Sequence, residues 1–527
     1  MKISDPFAAL LLPKGTPPAE RNAYDFGRIG SYFYNSAPET ACLQTVDAET
    51  TSDLDLNAVF ERIDRTTSRV GQQYLYARLR TLRGEEETAA FGRDAERFAG
   101  DPALAARCSA HLKRLSDERA YDLQNLIFDT PARVRGIRAA YLFSALAVAS
   151  LAASFFHPLF LLLFAATFAA NLYIHYDNKL NITLYAAAVK QLAEALRTAR
   201  RLAAEEVPGT EEAAESIRLT STVERRSRIV AAQGDGGNEL LAVAWLAVEF
   251  LKIAFNIEVI LFHRFIGSIV HHREAIHGLF RFIGRTDAAI AVMRLRSEGG
   301  TCRPRFVEGK YLAVTQAVHP LIDGCVANTL TLDGSGLLLT GSNMSGKTTF
   351  IRTLLLNALL AETIDTCFAE AYTAPYMKLF TSIRVTDDLS EGTSYYLQEV
   401  LIVKRFLDAA EETAPCLFAL DELFKGTNTT ERIAAGKAVL ARLNRGPHVV
   451  LCSTHDVELA FLLHDDRYEL HHFREEVTDG ELVFDYRLHT GPLTTRNAIR
   501  ILELYDYPPE LIREAMEVQK RLAGTDA

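Results

Sequence analysis

Gly341-Ser342-Asn343-Met344-Ser345-Gly346-Lys347-Thr348 carries the spacing G-x-x-x-x-G-K-[ST] of a phosphate-binding loop. An apolar run, Leu337 to Thr340, leads into it, and a run with helical character, Phe350 to Leu360, leads out. This order predicts strand, loop and helix. The glycines let the backbone turn tightly, so that successive N–H groups converge on phosphate oxygens at the positive end of the helix. On this reading Lys347 reaches the β- and γ-phosphates, and the Thr348 hydroxyl ligates Mg²⁺. The texture of the chain after about Thr301, short apolar runs alternating with helical stretches, predicts an α/β domain with a mainly parallel sheet.

Three further segments fit around the loop. Leu417 to Leu420 is an apolar run ending in Asp421 and Glu422. A buried strand there would set Asp421 beside the loop to hold Mg²⁺ through water, with Glu422 polarising the attacking water. Leu451-Cys452-Ser453-Thr454-His455 is a second apolar run with a polar end, where His455 is placed to sense the γ-phosphate. Asp388 to Ser394 is rich in small and hydroxyl residues ahead of a helix expected from Tyr395. A helix N-terminus of that composition is either a plain cap or an anion site. Its place between the loop and the Asp-Glu strand matches the signature segment of transporter-type (ABC-like) ATPases, which reaches a partner subunit's γ-phosphate.

The amino-terminal half has a different texture. Between Ala139 and Tyr176 there is no Asp, Glu, Lys or Arg, a stretch of 38 residues, against roughly 20 needed for one membrane-spanning helix. His157-Pro158 falls near its middle, so the expectation is a hairpin of two short spans, Ala139–Phe155 and Leu159–Ile174. Arg133, Arg135 and Arg138 before it, with Lys179 and Lys190 after it, place both ends in the cytoplasm. The expected location is therefore the inner, cytoplasmic membrane, with both termini and the α/β domain on the cytoplasmic side. Leu240 to Val270 is also apolar, but Glu249, Lys252, Glu258, His263 and Arg264 interrupt it. That pattern predicts an amphipathic or buried helix pair. Asn181 to Glu206 and Thr210 to Val230 read as helices, and 233–238 as a loop and candidate hinge. The expected division is 1–53 unassigned, 54–138 helical, 139–176 the hairpin, 177–300 helical and 301–527 the α/β domain.

A net charge of −10 argues against a surface that grips nucleic acid throughout. Local clusters such as Arg197/Arg200/Arg201 and Arg225/Arg226/Arg228 remain, and such clusters are usually solvated helix faces. Seven scattered cysteines without metal-ligand spacing are read as reduced thiols. The apolar stretch Phe7 to Leu12 is too short for a secretory signal.

Taken together, the segments resemble the MutS family. Thr340 through Thr349 is similar to its T-G-P-N-M-G-G-K-S-T, and Asp388-Leu389 through Ser394 to its D-D-L-x-x-G-x-S-T-F region. Asp421-Glu422-Leu423-Phe424-Lys425-Gly426-Thr427-Asn428-Thr429 resembles D-E-x-x-R-G-T-S-T, and Ser453 to Leu459 resembles A-T-H-x-x-E-L. His319-Pro320 and Val326-Ala327-Asn328 echo the approach to that family's loop, and Leu56 to Leu82 the start of its helical core. The resemblance implies ATP and Mg²⁺ bound by Gly341, Ser342, Asn343, Met344, Ser345, Gly346, Lys347, Thr348 and Thr349, with Asp421 on the metal. It implies hydrolysis using Glu422 with Lys347, sensing by His455, and Ser394 completing a partner's site in a dimer with composite sites. DNA, mismatched or branched, is a partner implied by the family.

The departures are equally definite. The helical-core echo begins near residue 54, which leaves no room for the family's mismatch-reading and connector domains, and the apolar hairpin stands where its lever and clamp region would be. Ser342 and Ser345 replace Pro and Gly inside the loop. The expectation is a membrane-anchored MutS-like ATPase without base-specific mismatch reading. The alternatives are an ABC-type ATPase of a membrane assembly, or an ATP-switched scaffold that does not bind DNA.

Overall fold

In the computed structural model, the alternation of apolar runs and helices after Thr301 folds into two large sheets and a two-stranded antiparallel ribbon. The structure describes residues 24–36, 42–129, 134–221, 223, 242–342, 345–384, 395–478, 481–491, 499, 502 and 507–525. Two short strands of the amino-terminal half, β1 (Gln44–Thr45) and β2 (Thr81–Leu82), pair antiparallel. The smaller carboxy-terminal sheet holds β3 (Pro304–Phe306), β4 (Tyr311–Ala317), β5 (Asn328–Asp333) and β7 (Ala371–Ala374), in the order β3-β7-β4-β5. The larger sheet holds β6 (Gly336–Thr340), β8 (Lys378–Ser382), β9 (Cys416–Asp421), β10 (Val449–Ser453), β11 (Tyr468–His472) and β14 (His489–Thr490), while β12 (Glu475–Thr478) and β13 (Glu481–Phe484) pair with each other as the ribbon. Its order is β14-β11-β6-β10-β9-β8, with β14 alone antiparallel to its neighbour. The mainly parallel sheet expected from the sequence is thus present. β6 and β10 are buried at every position and β9 at all but its last, which is why they read as unbroken apolar runs.

The helical part is built around Arg69–Leu79, in which every residue after Arg69 is buried. Asp287, on the helix Arg273–Ser297, fixes its start by accepting from the Thr67 and Ser68 N–H groups at 2.9 and 2.7 Å. Ser68 Oγ in turn accepts from the Gly71 N–H at 2.9 Å, which satisfies a helix-end donor. The two helices approach so closely that a Cβ at Gly284 would lie 2.5 Å from Tyr74 Cβ. The segments 54–138 and 177–300 therefore share one core, and Phe26–Asn35 packs onto it through Ile29 and Tyr32.

The uncharged stretch forms two helices, Ile137–Ala153 and Phe160–Ala204, packed against each other around a turn at 154–159. The second is one continuous helix of 45 residues, about 68 Å long at 1.5 Å per residue. The boundary expected at 176 falls inside it. Among the described residues, Phe160–Lys179 is the one helix both long and apolar enough to cross a membrane, while Ile137–Ala153 is shorter. The turn is covered by bare apolar side chains: Phe155 and Phe156 are 89% and 91% exposed, and Leu159 and Leu162 also face outward.

The region 240–270 forms a helix pair, amphipathic rather than buried throughout. Val248–Ala254 and Ile257–His271 meet at a 69° bend, and together they are apolar enough to form a broken span. Val248, Phe250 and Leu251 are exposed, whereas Phe262, Phe265 and Ile269 are buried. Asn171 donates to the Ala254 carbonyl at 2.7 Å and Ser144 to the Phe255 carbonyl at 2.8 Å, so the carbonyls freed by the bend are satisfied by the hairpin.

Residues 44–55 join the helical part to the larger sheet. The Gln44 amide donates to the Leu379 carbonyl at 2.8 Å and accepts from its N–H at 2.7 Å, extending edge strand β8 with a side chain. Asp53 accepts from the Ile383 and Arg384 N–H groups at 3.0 and 2.8 Å, and Arg384 grips Asp55 with two bonds of 2.7 Å. A second tie joins Thr88 to the carbonyl of Glu362, at 2.8 Å.

Candidate functional site

The site forms where β6, β9 and β10 end side by side. The loop after β6 turns through Gly341 at φ 146° and Gly346 at φ 102°, in backbone regions that side chains rarely adopt. At Gly341 a Cβ would also meet the Phe473 carbonyl at 2.8 Å. The helix Lys347–Ile364 starts at once, so its unpaired N-terminal N–H groups face the loop. Ser345 Oγ donates to the Ser342 carbonyl at 2.8 Å and closes the turn. Thr349 lies in the first helical turn. Asn343 and Met344 lie outside the described residues.

Lys347 is buried, and its Nζ donates to the carbonyls of Gly341 and Ser342 at 2.6 and 2.8 Å, holding it under the loop. Burial lowers its pKa to about 8, against the opposing pull of Asp421 and Glu422. Thr348 Oγ1 donates to Asp421 Oδ2 at 2.8 Å, which puts a hydroxyl and a carboxylate together as a divalent cation requires. The Ser342 hydroxyl is buried without a hydrogen-bond partner. A cradle that excludes a Cβ, converging N–H groups, a buried cation and an orphaned hydroxyl fit a phosphate group.

Glu422 sits just past β9 in the left-handed region, at φ 61°, with its N–H on the Ser453 carbonyl at 2.9 Å. His455 Nε2 lies 2.8 Å from its Oε1 and Lys425 Nζ 3.3 Å from its Oε2. An ionised carboxylate only accepts, so the His455 proton is on Nε2. The His455 hydrogen bond, outweighing burial and joined by Lys425, brings the Glu422 pKa to about 2. Glu422 is thus an anion throughout the working pH range, suited to orienting a water by accepting its hydrogen bond. Arg432, on the helix Thr429–Leu443, pairs with Asp456 at 2.8 Å and anchors the turn that carries His455.

The structure therefore brings Lys347, Thr348, Asp421, Glu422 and His455 to one place. Ser394, with the segment from Asp388, lies outside the described residues, as do Arg133, Arg225, Arg226, Arg228 and the loop 233–238. Arg197 is engaged with Glu194 on its own helix at 3.1 Å.

Three residues of this site carry no clear signal in the sequence. Ser453 Oγ donates to the second oxygen of Asp421, because the parallel register sets Ser453 opposite Asp421. Tyr486 presents its ring beside the loop: a Cβ on Gly346 would lie 3.3 Å from its Cδ1. Nearly half exposed, that ring offers a flat apolar surface, and its backbone carbonyl accepts from Asn328 at 2.9 Å. Glu399, buried on the helix Tyr395–Ala409, accepts from the Phe424 N–H. Phe424, like Glu422, has a positive φ, of 57°. Gly426 packs so tightly on the same helix that a Cβ would lie 2.8 Å from Tyr396 Cβ. Glu399 thus braces the turn that aims Glu422.

Replacing Glu399 by Ala leaves a buried N–H unpaired, a cost of about 1–3 kcal/mol that the turn relieves by moving. Turnover should fall about tenfold or more with KM little changed, whereas Glu399→Gln, whose amide oxygen still accepts, should keep most of it. Steady-state kinetics on the two variants checks this; equal loss in both would remove the bracing role.

Residues 337–523 match the family model described as MutS domain V. Among curated proteins, the DNA mismatch repair protein MutS of Chloroflexus aurantiacus is 28% identical over 314 residues, covering 57% of this chain and 32% of that protein. That of Listeria monocytogenes serotype 4a is 28% identical over 320 residues, covering 58% and 36%. That of Erythrobacter litoralis is 28% identical over 274 residues, covering 50% and 31%. The chain spans about a third of the length of the curated relatives it matches.

Proposed function

We propose that this chain, whose residues 337–523 match MutS domain V, is a membrane-anchored, ATP-hydrolysing member of the MutS family, switched by nucleotide as a dimer. The observation that carries the reading is the meeting of Lys347, Thr348, Asp421 and Glu422 at the ends of three adjacent strands. Lys347 and the N–H groups of the loop and helix start hold the phosphates of ATP. Thr348 and Asp421 hold Mg²⁺, with Ser453 fixing the second carboxylate oxygen. The Mg²⁺-nucleotide supplies the phosphoanhydride bond to be broken. Glu422 accepts a hydrogen bond from the attacking water and orients it, while His455 and Lys425 fix the carboxylate. Tyr486 offers its ring to the base. Ser394 is assigned, from the family motif it resembles, to completing the partner's site.

The exposed apolar side chains at 155–162 support a membrane anchor, and the basic residues that flank the hairpin support a site on the cytoplasmic side. The relatives are named for DNA mismatch repair, and DNA is proposed as the partner. The test is ATP turnover by the detergent-solubilised chain, measured against protein concentration and with or without duplex, mismatched and branched DNA. Specific activity should rise with concentration as dimers form and change when DNA is added. Turnover independent of both would leave an ATPase that neither dimerises nor engages DNA.

Lys347 gives a second expectation. Its charged form holds phosphate, and its pKa in the free protein is about 8. ATP affinity should therefore be full below pH 8 and decline as pH rises through that value. At pH 8.5 binding should take up protons, because bound phosphate raises the Lys347 pKa. Calorimetry in buffers of different ionisation enthalpy reads this uptake directly; its absence would place the charged group elsewhere.

A further inference from the structure

Away from the nucleotide site, the bend at 255–256 has a chemical result. It folds Glu249, on Ala242–Ala254, and Glu258, in the first turn of Ile257–His271, toward one point. The long helix brings His175 to the same point. The imidazole, Glu249 and Glu258 each offer an atom within 4.8 Å of the other two. His175 is 1% exposed, and its Nδ1 is buried with no hydrogen-bond partner. That atom is 3.8 Å from Glu258 Oε2. The distance is too long for a hydrogen bond and close to the separation of about 3.5 Å between two ligands of one tetrahedral ion bound at about 2.1 Å.

We propose that His175, Glu249 and Glu258 form a binding site for a divalent first-row transition-metal ion, with zinc as the representative. An imidazole nitrogen with two carboxylates selects against the hard cations, which prefer all-oxygen shells. Three protein ligands leave a fourth position for water. The residues come from three helices where the hairpin meets the polar half of the long helix, so the ion would pin the bent pair to it.

The competing occupant is visible. Lys179, one turn beyond His175, reaches Glu258 Oε2 at 3.0 Å and Glu249 Oε1 at 4.0 Å, while Lys252 holds Glu249 Oε2 at 3.1 Å. The two lysines balance the two acids. The Lys179 side chain is 39% exposed on a flexible stem, so its ammonium can move to solvent while its methylenes stay packed. Metal and Lys179 are therefore alternatives at Glu258. A plain ion-pair cluster predicts the opposite response to losing the lysine, and this separates the two.

The experiment uses the full chain in detergent, stripped with chelator and titrated with Zn²⁺ and Co²⁺. Expected are one ion per chain and a visible Co²⁺ spectrum, with a rise in unfolding temperature on metal addition. Lys179→Gln should bind at least tenfold more tightly, because the competing cation is gone. Glu258→Gln and His175→Ala should each lose binding at least a hundredfold. No stoichiometric binding in the parent chain overturns the proposal, and so does weaker binding in Lys179→Gln. Binding unchanged in Glu258→Gln assigns the ion to other groups, such as the cysteines, and overturns it equally. Should His175→Ala fail to fold, the Lys179→Gln and Glu258→Gln pair decides alone.

Discussion

Glu422→Gln should bind ATP as the parent does and lose turnover by about 10²- to 10⁴-fold, the range associated with a positioned acid–base group. The amide keeps the size of the side chain and can still accept from one neighbour. What it loses is the full negative charge that His455 and Lys425 hold in place at 2.8 and 3.3 Å. Lys347→Ala should fail earlier, at binding. Its ammonium satisfies two loop carbonyls, so truncation removes the charge facing the phosphates and leaves those carbonyls without their donor. Affinity should fall at least about a hundredfold. Equilibrium binding and single-turnover hydrolysis on both variants separate these effects. Parent-rate turnover in Glu422→Gln would move the catalytic role to another residue.

The second large effect concerns the apolar turn. Replacing Phe155, Phe156, Leu159 and Leu162 together by Ser should shift the chain from the carbonate-resistant membrane fraction toward the soluble one. Each of these side chains is bare in the monomer, and returning it to water forfeits about 1.5–3 kcal/mol of burial. Since none supports the internal packing, the unfolding temperature of the α/β domain should stay within a few degrees of the parent. Recovery of the unaltered chain as a detergent-free soluble species would overturn the membrane reading.

How much of this was legible depended on how local each signal is. The loop 341–348 could be read because its spacing encodes its geometry, and β9 and β10 because strands buried on both faces are unbroken apolar runs. Ser453 as a brace for Asp421 could not, since a parallel register between strands about thirty residues apart is set by the fold. Glu399 has no local mark that sets it apart from any other acid on a helix, and Tyr486 lies well over a hundred residues from the loop it flanks. In the 240–270 region the helix pair is legible but its bend is not, for a related reason. Glu249 and Glu258 read as breaks in an apolar face, whereas the bend turns both toward His175 and leaves Val248, Phe250 and Leu251 outside. Residues 44–55 carried no motif at all, because their contacts to Leu379, Ile383 and Arg384 are made with side-chain amide and carboxylate groups at great sequence distance.

Those contacts bear on how the molecule stays dispersed. β8 is the last strand of its sheet, and an open strand edge is a template for other chains. Gln44 and Asp53 occupy that edge at Leu379, Ile383 and Arg384, so the amino-terminal segment works as a stopper against intermolecular strand addition. A fragment cut at residue 301 would keep the loop, Asp421 and Glu422 but lose the stopper, and with it the barrier to self-association. Aggregation of such a fragment would then reflect an uncovered edge rather than a failure of the catalytic fold, and supplying residues 42–129 on a second chain should restore its solubility.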